Sequence, residues 1–234
     1  MNYTNKYNQP IGKPLNDFKP CQKPSSKMLD GNYCCLEKIN ANKHSEDLFN
    51  ECNNDEKAWT YVHENQFQNL NSFKNYIKEC EKSTDPYTYA IIDKKTNKTV
   101  GRIAYMRIKE NIGSIEIGRV LFSKKMRKSC IGTEAVYLLL CEVFEKLKYR
   151  RCEWKCDSLN EASRNAAIRY GFTYEGTFRN AMVQKGRSRD TAWYSIIDSE
   201  WQILKSAFEC WLSEDNFTDD EKQIKSLSTF MNKI

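Results

Sequence analysis

A β-strand, a basic loop, a helix and a second β-strand follow one another in the middle of the chain, and this order constrains the fold more than any other feature. Ser114–Phe122 has a strand-like composition, and the loop after it is rich in Lys and Arg up to Gly132. Thr133–Leu147 has apolar residues at helical spacing, at 136, 139, 140, 143 and 147, and Arg151–Cys156 is again strand-like. Such a crossover leaves its two strands parallel. The sequence therefore predicts a mixed α/β fold with Ser114–Phe122 parallel to Arg151–Cys156.

The remaining patterns predict antiparallel strands and helices around this pair. Tyr87–Asp93, Val100–Arg107 and Ser114–Phe122 are separated by polar turns and predict an antiparallel meander. Ser72 is expected to cap a helix that carries apolar residues on one face. The residues of that apolar face are Phe73, Tyr76, Ile77 and Cys80. Further helices are expected at Glu161–Tyr170, followed by Gly171 as a left-handed residue, and around Asp198–Leu212. A closing hairpin is expected from Phe178–Gln184 and Thr191–Ile197.

Composition bounds the class of protein. Four of the five prolines lie at positions 10, 14, 20 and 24, so we expect residues 1–28 to be an extended N-terminal arm and residues 29–234 a single domain. No apolar run approaches the roughly 18 residues of a membrane span, and the first residues lack the apolar core of a signal peptide. The ten cysteines include no C-x-x-C pair and the two histidines are isolated. We therefore expect reduced thiols, a cytoplasmic location, no membrane association and no metal site.

The basic loop is the most informative local feature. A helix N-terminus presents unpaired backbone N–H groups and a positive partial charge, which suit phosphate. The run Arg127-Lys128-Ser129-Cys130-Ile131-Gly132-Thr133 leads directly into the predicted helix. It is neither a P-loop nor a G-x-G-x-x-G motif. On spacing alone, a solvated run of charge before a helix is the alternative interpretation.

Two separate blocks of the sequence resemble the signatures of the GCN5-related N-acetyltransferases (GNAT superfamily). Arg127 and Gly132 match the first and last positions of the pyrophosphate-binding signature [QR]-x-x-G-x-[GA], whereas Cys130 stands where its first glycine would be. Asn160 to Ser163, with the helix that ends in Gly171-Phe172, resembles the second signature, N-x-x-[AS]. Segments around Trp154, Gly176 and Gly186 are similar to the RimJ/RimL-type branch, which contains N-terminal acetyltransferases of ribosomal proteins and enzymes for small amines.

The resemblance implies a GNAT fold: a mixed central sheet with an antiparallel N-terminal meander, a parallel pair splayed at the cofactor cleft, and helices on both faces. It implies acetyl-CoA as the acetyl donor, with the backbone of the strand before the loop pairing with the pantetheine arm and loop amides binding the diphosphate. The implied cofactor-binding residues are Val120, Leu121, Phe122, Arg127, Lys128, Ser129, Cys130, Ile131, Gly132, Thr133, Asn160, Ser163 and Arg164.

The resemblance also implies two catalytic groups and an acceptor pocket. Glu116 is the candidate base for the amine, although an exposed strand glutamate is the structural alternative and a bulge in this strand changes where it points. Many relatives carry a tyrosine where this chain has Ala167, so Ser163, one helical turn earlier, is the candidate hydrogen-bond donor to the thiol. Asn160 is also expected to cap the helix that begins at Glu161. The candidate acceptor-pocket residues are the aromatic side chains of Tyr174, Trp193 and Tyr194.

The sequence therefore leaves three functions open. The first is an acetyl-CoA-dependent N-acetyltransferase whose acceptor is a primary amine, either a protein N-terminal α-amine or a small amine. The second is a catalytically weak acyl-CoA-binding module, suggested by Cys130 and Ala167. The third is nucleic-acid binding through the Lys- and Arg-rich segments, which is disfavoured because no stacking aromatics or known module accompany the charge. The sequence does not indicate an oligomeric state.

Overall fold

The computed structural model describes residues 3–126, 129–218 and 222–231. The strands in these residues are β1 (Tyr3–Thr4), β2 (Pro10–Ile11), β3 (Met28–Asp30), β4 (Cys34–Lys38), β5 (Tyr87–Asp93), β6 (Lys98–Lys109), β7 (Ser114–Phe122), β8 (Arg151–Asp157), β9 (Thr173–Gln184) and β10 (Arg187–Ile197). The helices are α1 (Ala41–Cys52), α2 (Leu70–Lys82), α3 (Cys130–Cys141), α4 (Glu161–Arg169), α5 (Asp198–Leu212) and α6 (Leu227–Met231).

The central sheet is mixed, as the sequence predicts. Among the described residues it has eight strands in the order β3-β4-β5-β6-β7-β8-β10-β9. β5, β6 and β7 form the predicted antiparallel meander, β9 and β10 form the closing hairpin, and β7 runs parallel to β8. The crossover from β7 through α3 to β8 therefore confirms the expected topology.

Helices cover both faces of the sheet because each strand alternates apolar side chains between them. On one face, α3 and α5 pack over a core that includes Tyr105, Ile117 and Trp154. On the other face, α1 and α2 pack over β5 and β6, and Phe73 and Ile77 of α2 are fully buried. Each such side chain contributes about 1.5–3 kcal/mol to stability. Over β8 this second face carries polar side chains instead.

Two helix starts differ from the predictions. α2 begins at Leu70 because the side chain of Asn69, not that of Ser72, is its N-cap: Asn69 Oδ1 accepts the N–H of Ser72 at 2.9 Å. α3 begins at Cys130, three residues before the predicted start, with Ser129 as its N-cap. The helix ends at Cys141 and continues as a π-helical turn to Lys146. Because of the earlier start, Gly132 lies inside the first turn of α3.

Three elements near the N-terminus were not predicted: the β1–β2 pair, β3 with β4, and α1. The segment before β3 contacts the rest of the molecule through Ser26, whose carbonyl accepts the hydroxyls of Tyr87 and Tyr89 at 3.1 and 3.0 Å. The Ser26 hydroxyl also bonds to the buried carboxylate of Glu142. After α4, Gly171 adopts the expected left-handed conformation, with φ of 86°.

Candidate active site

A cleft opens where β7 and β8 separate. The two strands pair from Ser114 to Ile117 and from Arg151 to Trp154, and no pairing continues beyond them. Immediately afterwards Arg119 has a φ of 52° and the register between β6 and β7 shifts, so β7 carries a bulge. The cleft has a volume of about 2370 Å³. This exceeds the roughly 300–1000 Å³ of an ordinary small-molecule pocket, so it has room for two substrates.

The predicted diphosphate-binding segment lies at one wall of this cleft. Val120, Leu121 and Phe122 line it, as do the residues from Ser129 to Thr133. Arg127 and Lys128 lie outside the described residues. A Cβ on Gly132 would lie 3.1 Å from the carbonyl oxygen of Met126 and 3.5 Å from the ring of Phe122, so glycine allows a close approach there. The first-turn N–H groups of α3 have no carbonyl partner within the helix and suit an anion.

The first turn of α3 is held from two sides. Glu134 is almost fully buried, and its carboxylate accepts the backbone N–H groups of residues 32, 33 and 34, each at 2.7 Å. A side chain at Gly31 would collide with that carboxylate. On the other side, Arg169 Nη1 donates to Thr133 Oγ1 at 2.9 Å, and its guanidinium lies over the ring of Trp211. The position of the helix N-terminus is therefore fixed by β3–β4, α4 and α5 together.

Ser163 faces the cleft from the first turn of α4. Asn160 Oδ1 accepts the N–H of Ser163 at 3.1 Å, so Asn160 is the N-cap that the sequence predicts. The indole of Trp154 donates to Ser163 Oγ at 3.0 Å. Since this bond uses a lone pair of the hydroxyl, the Ser163 proton is left to donate elsewhere. Burial raises the pKa of the neighbouring Cys156 thiol, although a hydrogen bond from Ser163 partly offsets that rise.

Glu116 is buried at the point where β7 and β8 begin to separate, with 3% of its surface exposed. It lies before the bulge of β7 and lines the cleft. Arg107 Nη1 donates to its two oxygens at 2.8 and 2.7 Å, and Lys155 Nζ lies 3.0 Å from Oε2. Arg107 was not among the residues predicted from the sequence, because it is one of many basic residues and lies near the end of the long strand β6.

Lys155 joins Glu116 to a row of charges on the open face of the sheet. Its Nζ lies 2.6 Å from Glu153 and 3.6 Å from the ring centroid of Trp193. Arg151 contacts both Glu153 and Glu175. Burial alone would raise the pKa of Glu153, but the hydrogen bonds from Lys155 and Arg151 outweigh it and lower that pKa. The carboxylate of Glu153 is therefore held in its charged form.

Residues 59–64, here called the strap, cross above the open face and are fastened at both ends. At one end Glu64 pairs with Arg102 and with the bulge residue Arg119. At the other end, side chains of the closing hairpin donate to strap carbonyls, and one strap hydroxyl donates outward. These bonds are Gln184 to Tyr61 and Val62 at 3.2 and 3.3 Å, Lys185 to Trp59 at 2.6 Å, Arg187 to Thr60 at 3.3 Å, and the Tyr61 hydroxyl to Leu159 at 3.1 Å.

The predicted acceptor-pocket aromatics separate into two groups. Trp193 lines the cleft, beside Phe178. Tyr194 points to the opposite face, where it is 1% exposed, and Tyr174 packs against it from a position that is 54% exposed. Neither tyrosine lines the cleft, because consecutive residues of a strand face opposite ways. Arg164 also lies outside the cleft lining, with Nη1 donating to the carbonyl of Ser158 at 3.2 Å.

No cluster of three or more His, Cys, Asp or Glu side chains among the described residues is placed to hold a metal ion. Within residues 3–126, 129–218 and 222–231, no helix has the length and apolar character needed to cross a bilayer.

Comparisons with known proteins point to one family. The family model of the acetyltransferase (GNAT) domain matches residues 34–173. The crystal structure of a GCN5-related N-acetyltransferase from Brucella melitensis is 41% identical and covers 93% of this chain and 100% of its own, with a TM-score of 0.91. A probable acetyltransferase (GNAT family) from Chromobacterium violaceum is 36% identical over 83% of this chain and 98% of its own, with a TM-score of 0.78. The uncharacterized N-acetyltransferase p20 of Bacillus licheniformis is 29% identical over 113 residues, which are 48% of this chain and 63% of that relative.

Proposed function

The chain belongs to the GNAT acetyltransferase family, and we propose on that premise that it is an acetyl-CoA-dependent N-acetyltransferase acting on a primary amine by direct attack. Use of acetyl-CoA is implied by the family. One observation carries the proposal: the opening between β7 and β8 lies beside the first turn of α3 in a single cleft. Strand backbone and helix N-terminus are the groups that suit a peptide-like arm and a diphosphate, respectively.

The proposed cofactor-binding residues fit acetyl-CoA chemically. The backbone of Val120–Phe122 lies beyond the last pair with β8 and lines the cleft, so it is proposed to bind the pantetheine arm. The amides of the first turn of α3 are proposed to bind the diphosphate, with Gly132 leaving space that a Cβ would fill. When bound, acetyl-CoA supplies a thioester whose carbonyl an amine can attack. Holding the two reactants together supplies much of the rate enhancement.

Glu116 is proposed as the group that accepts the proton of the amine. Its two oxygens offer about four lone-pair sites. Arg107 and Lys155 use three of them, which leaves one for the amine or for a bridging water. Glycine is needed at position 118 because a Cβ there would lie 2.6 Å from Met106 Sδ and 3.3 Å from Oε1 of Glu116. The two cations also fix the orientation of the carboxylate.

Ser163 is proposed to stabilise the departing thiolate. Trp154 donates to its oxygen. The single proton of the hydroxyl, which is directed to the Cys156 thiol in the free protein, is proposed to turn to the sulfur of bound CoA. Asn160 holds the first turn of α4 in place through its bond to the Ser163 amide. A thiol has an ordinary pKa near 8.5, so its thiolate leaves with little assistance. A single hydroxyl is therefore sufficient, and the tyrosine that Ala167 replaces is not required.

The acceptor is proposed to be a small amine or the flexible end of a peptide, as in the RimJ/RimL-type branch. The strap supports this proposal. It is bonded to both sides of the cleft and lies over the cleft residues Glu116, Lys155 and Trp193. Such a cover favours a slender chain over the broad surface of a folded protein. An α-amine, with a pKa near 8, also needs less help from a base than a lysine, with a pKa near 10.4.

A catalytically weak acyl-CoA-binding module is the alternative. Two departures from the family pattern favour it: Cys130 replaces a glycine and Ala167 replaces a tyrosine. Cys130 is accommodated as the first residue of α3, and Ala167 lies on α4 itself, where it is fully buried. The alternative differs from the main proposal in one measurable respect, since a module binds the cofactor without turnover.

Calorimetry with CoA and an acetyl-transfer assay test the proposal together. We expect CoA to bind, and Gly132→Asp to weaken binding at least tenfold by adding bulk and negative charge beside the diphosphate site. Gly12→Asp is the matched control, because a side chain at Gly12 meets no atom within 4 Å. Transfer is measured as thiol release with an α-amine peptide, with its N-blocked lysine-containing twin and with small amines. Absence of CoA binding refutes the proposal, binding without turnover identifies the module, and preference for the lysine twin rejects the proposed acceptor.

A further inference from the structure

The acceptor side of the cleft has more cations than carboxylates. We call this part of the cleft the acceptor basin: the region on the α1–α2 face beneath the strap. Its charged lining residues are Lys57, Arg107, Arg119, Lys155 and Arg189 on the cationic side and Glu116 and Asp157 on the anionic side. This excess of cations matters because the charged groups that line a cleft favour ligands of the opposite charge.

Both carboxylates of the acceptor basin already have partners. Glu116 pairs with Arg107 and Lys155, as described above. Asp157 Oδ1 accepts the backbone N–H of Leu159 at 2.9 Å, in the turn that leads to α4. Among the described lining residues of the acceptor basin, a polyamine would therefore find one free lone-pair site on Glu116 for the reacting nitrogen and a single further carboxylate, Asp157, for its other ammonium groups.

The arginines, in contrast, have donors to spare. Arg119 uses one terminal nitrogen on Glu64, and its other guanidinium nitrogens have no hydrogen-bond partner among the described residues. Arg189 uses Nη1 on Gln184 Oε1 at 2.5 Å, and its Nε has no partner within the described part of the chain. A guanidinium carries five N–H donors in a planar fork that matches a carboxylate or phosphate.

The position of these two arginines relates them to the strap. Glu64, the partner of Arg119, is the last residue of the strap, and Gln184, the partner of Arg189, donates to the strap carbonyls of Tyr61 and Val62. Arg119 and Arg189 are therefore both linked to the strap through one partner each, and they lie on strands with only β8 between them. Both line the same cleft as Glu116.

We propose that the acceptor carries an oxyanion, a carboxylate or a phosphate, in addition to its amine, and that Arg119 and Arg189 bind this group beneath the strap. The inference rests on the proposed acetyltransferase function and narrows its substrate class to anionic amines. The amine then reaches Glu116 while the oxyanion remains among the guanidinium donors. Two sources have this chemistry: a free small amine and a peptide with an acidic residue next to its N-terminus.

Matched ligand pairs test the inference by calorimetry on protein saturated with CoA. The first pair is O-phosphoethanolamine and ethanolamine, and the second is β-alanine and its amide. The third is a C-terminally amidated peptide with Glu at its second position and the same peptide with Gln there. We expect the anionic member of at least one pair to bind about ten- to hundredfold tighter, as hydrogen bonds to charged groups give. The pair that shows the preference identifies the source.

Variants connect the preference to the arginines. Arg189→Gln should abolish most of the preference, and Arg189→Lys should restore part of it through charge without the fork. Arg179→Gln, an exposed position on β9 outside the cleft lining, is the matched control and should leave the preference unchanged. CoA affinity measured on the same samples reports whether each variant is folded. If Arg189→Gln does not fold, the ligand preference of Arg189→Lys provides the test.

The outcomes separate this inference from the proposed function. If CoA binds and no anionic ligand is preferred to its neutral partner, or if spermidine binds more tightly than every anionic ligand, the inference is wrong and the acetyltransferase proposal stands. If the wild-type protein does not bind CoA, the acetyltransferase proposal fails and the inference fails with it. An undiminished preference in both Arg189 variants also overturns it.

Discussion

Replacing Glu134 by glutamine tests how the N-terminus of α3 is held in place. In the wild-type protein, Oε1 accepts the N–H of Asn32 and Oε2 accepts those of Tyr33 and Cys34, each at 2.7 Å. The side chain is almost fully buried. Glutamine has the same shape but only one acceptor oxygen, and its amino group donates. In either orientation of the amide, at least one backbone N–H faces another donor.

The expected loss follows from counting these bonds. A hydrogen bond to a charged acceptor contributes about 1.5–3 kcal/mol, and one to a neutral acceptor about 0.5–1.5 kcal/mol. If the amide oxygen of the glutamine faces Tyr33 and Cys34, the protein loses one hydrogen bond to a charged acceptor and two others become weaker. The loss of stabilising free energy is then on the order of 4 kcal/mol. Burying a neutral side chain costs less than burying a carboxylate, which reduces the net loss to about 2–3 kcal/mol.

Urea unfolding at pH 7, followed by tryptophan fluorescence, measures this loss. We expect the free energy of unfolding of Glu134→Gln to fall by about 2–3 kcal/mol with an unchanged dependence on urea concentration. Glu46→Gln on the exposed face of α1 makes the same chemical change where no partner is lost, and should stay within about 0.5 kcal/mol of wild type. A Glu134→Gln protein as stable as this control would refute the reasoning.

Three further predictions concern the cleft. Glu116→Gln should lower turnover by roughly 10²- to 10⁴-fold, and by less at pH values above the pKa of the acceptor amine. CoA affinity measured by calorimetry should be unchanged. Turnover equal to that of the wild type across the pH range would remove the base role. Ser163→Ala should lower turnover by only about tenfold, because a thiolate leaves readily; steady-state kinetics with saturating acetyl-CoA measures it. Arg102 and Arg119 lower the pKa of Glu64 although burial alone would raise it. Its ion pairs should therefore stabilise the fold above about pH 4.3 and lose this effect as pH falls through the lowered pKa, so urea unfolding should show the deficit of Glu64→Gln shrinking toward pH 3.

The fold was predictable wherever apolar periodicity was intact. Strands β5 to β8, the hairpin and helices α2 to α5 all bury side chains at the spacing that the sequence displays. Helix α1 was missed because its buried face includes the polar residues His44 and Ser45, which hide the period. Its N-cap, Asn40, was recognisable only once the helix was known, since its Oδ1 accepts the N–H groups of residues 42 and 43.

The start of α3 was placed too late for a related reason. Gly132 was interpreted as the end of a loop, because glycine costs about 1 kcal/mol in a helix interior. In the first turn that cost is offset, since a Cβ at Gly132 would crowd the carbonyl of Met126. The Ser129 cap, with its hydroxyl 3.4 Å from the amide of Gly132, was the signal that marked the true start.

The strap and its bonds were not predictable from residue patterns. Its outer end is held by side chains that donate to backbone carbonyls, which every residue possesses, so no particular residue type marks the accepting positions. The separation of Tyr194 from Trp193 followed directly from strand alternation, which the prediction of an aromatic pocket did not apply. Motifs therefore predicted the proposed cofactor side of the cleft, whereas the proposed acceptor side emerged only from the three-dimensional arrangement.

Arg119 connects these two sides. Its left-handed backbone, which costs a non-glycine residue of order 1 kcal/mol or more, forms the bulge at which β7 leaves β8. Its side chain pairs with Glu64 at the end of the strap, and Glu64 is held in turn by the fully buried Arg102 and by the hydroxyl of Tyr76 at 2.8 Å. Because one residue both forms the bulge beside the proposed pantetheine groove and anchors the cover of the acceptor basin, the two proposed substrate sites are parts of a single structural unit. A change at Glu64 should therefore reach the cofactor groove as well as the acceptor basin.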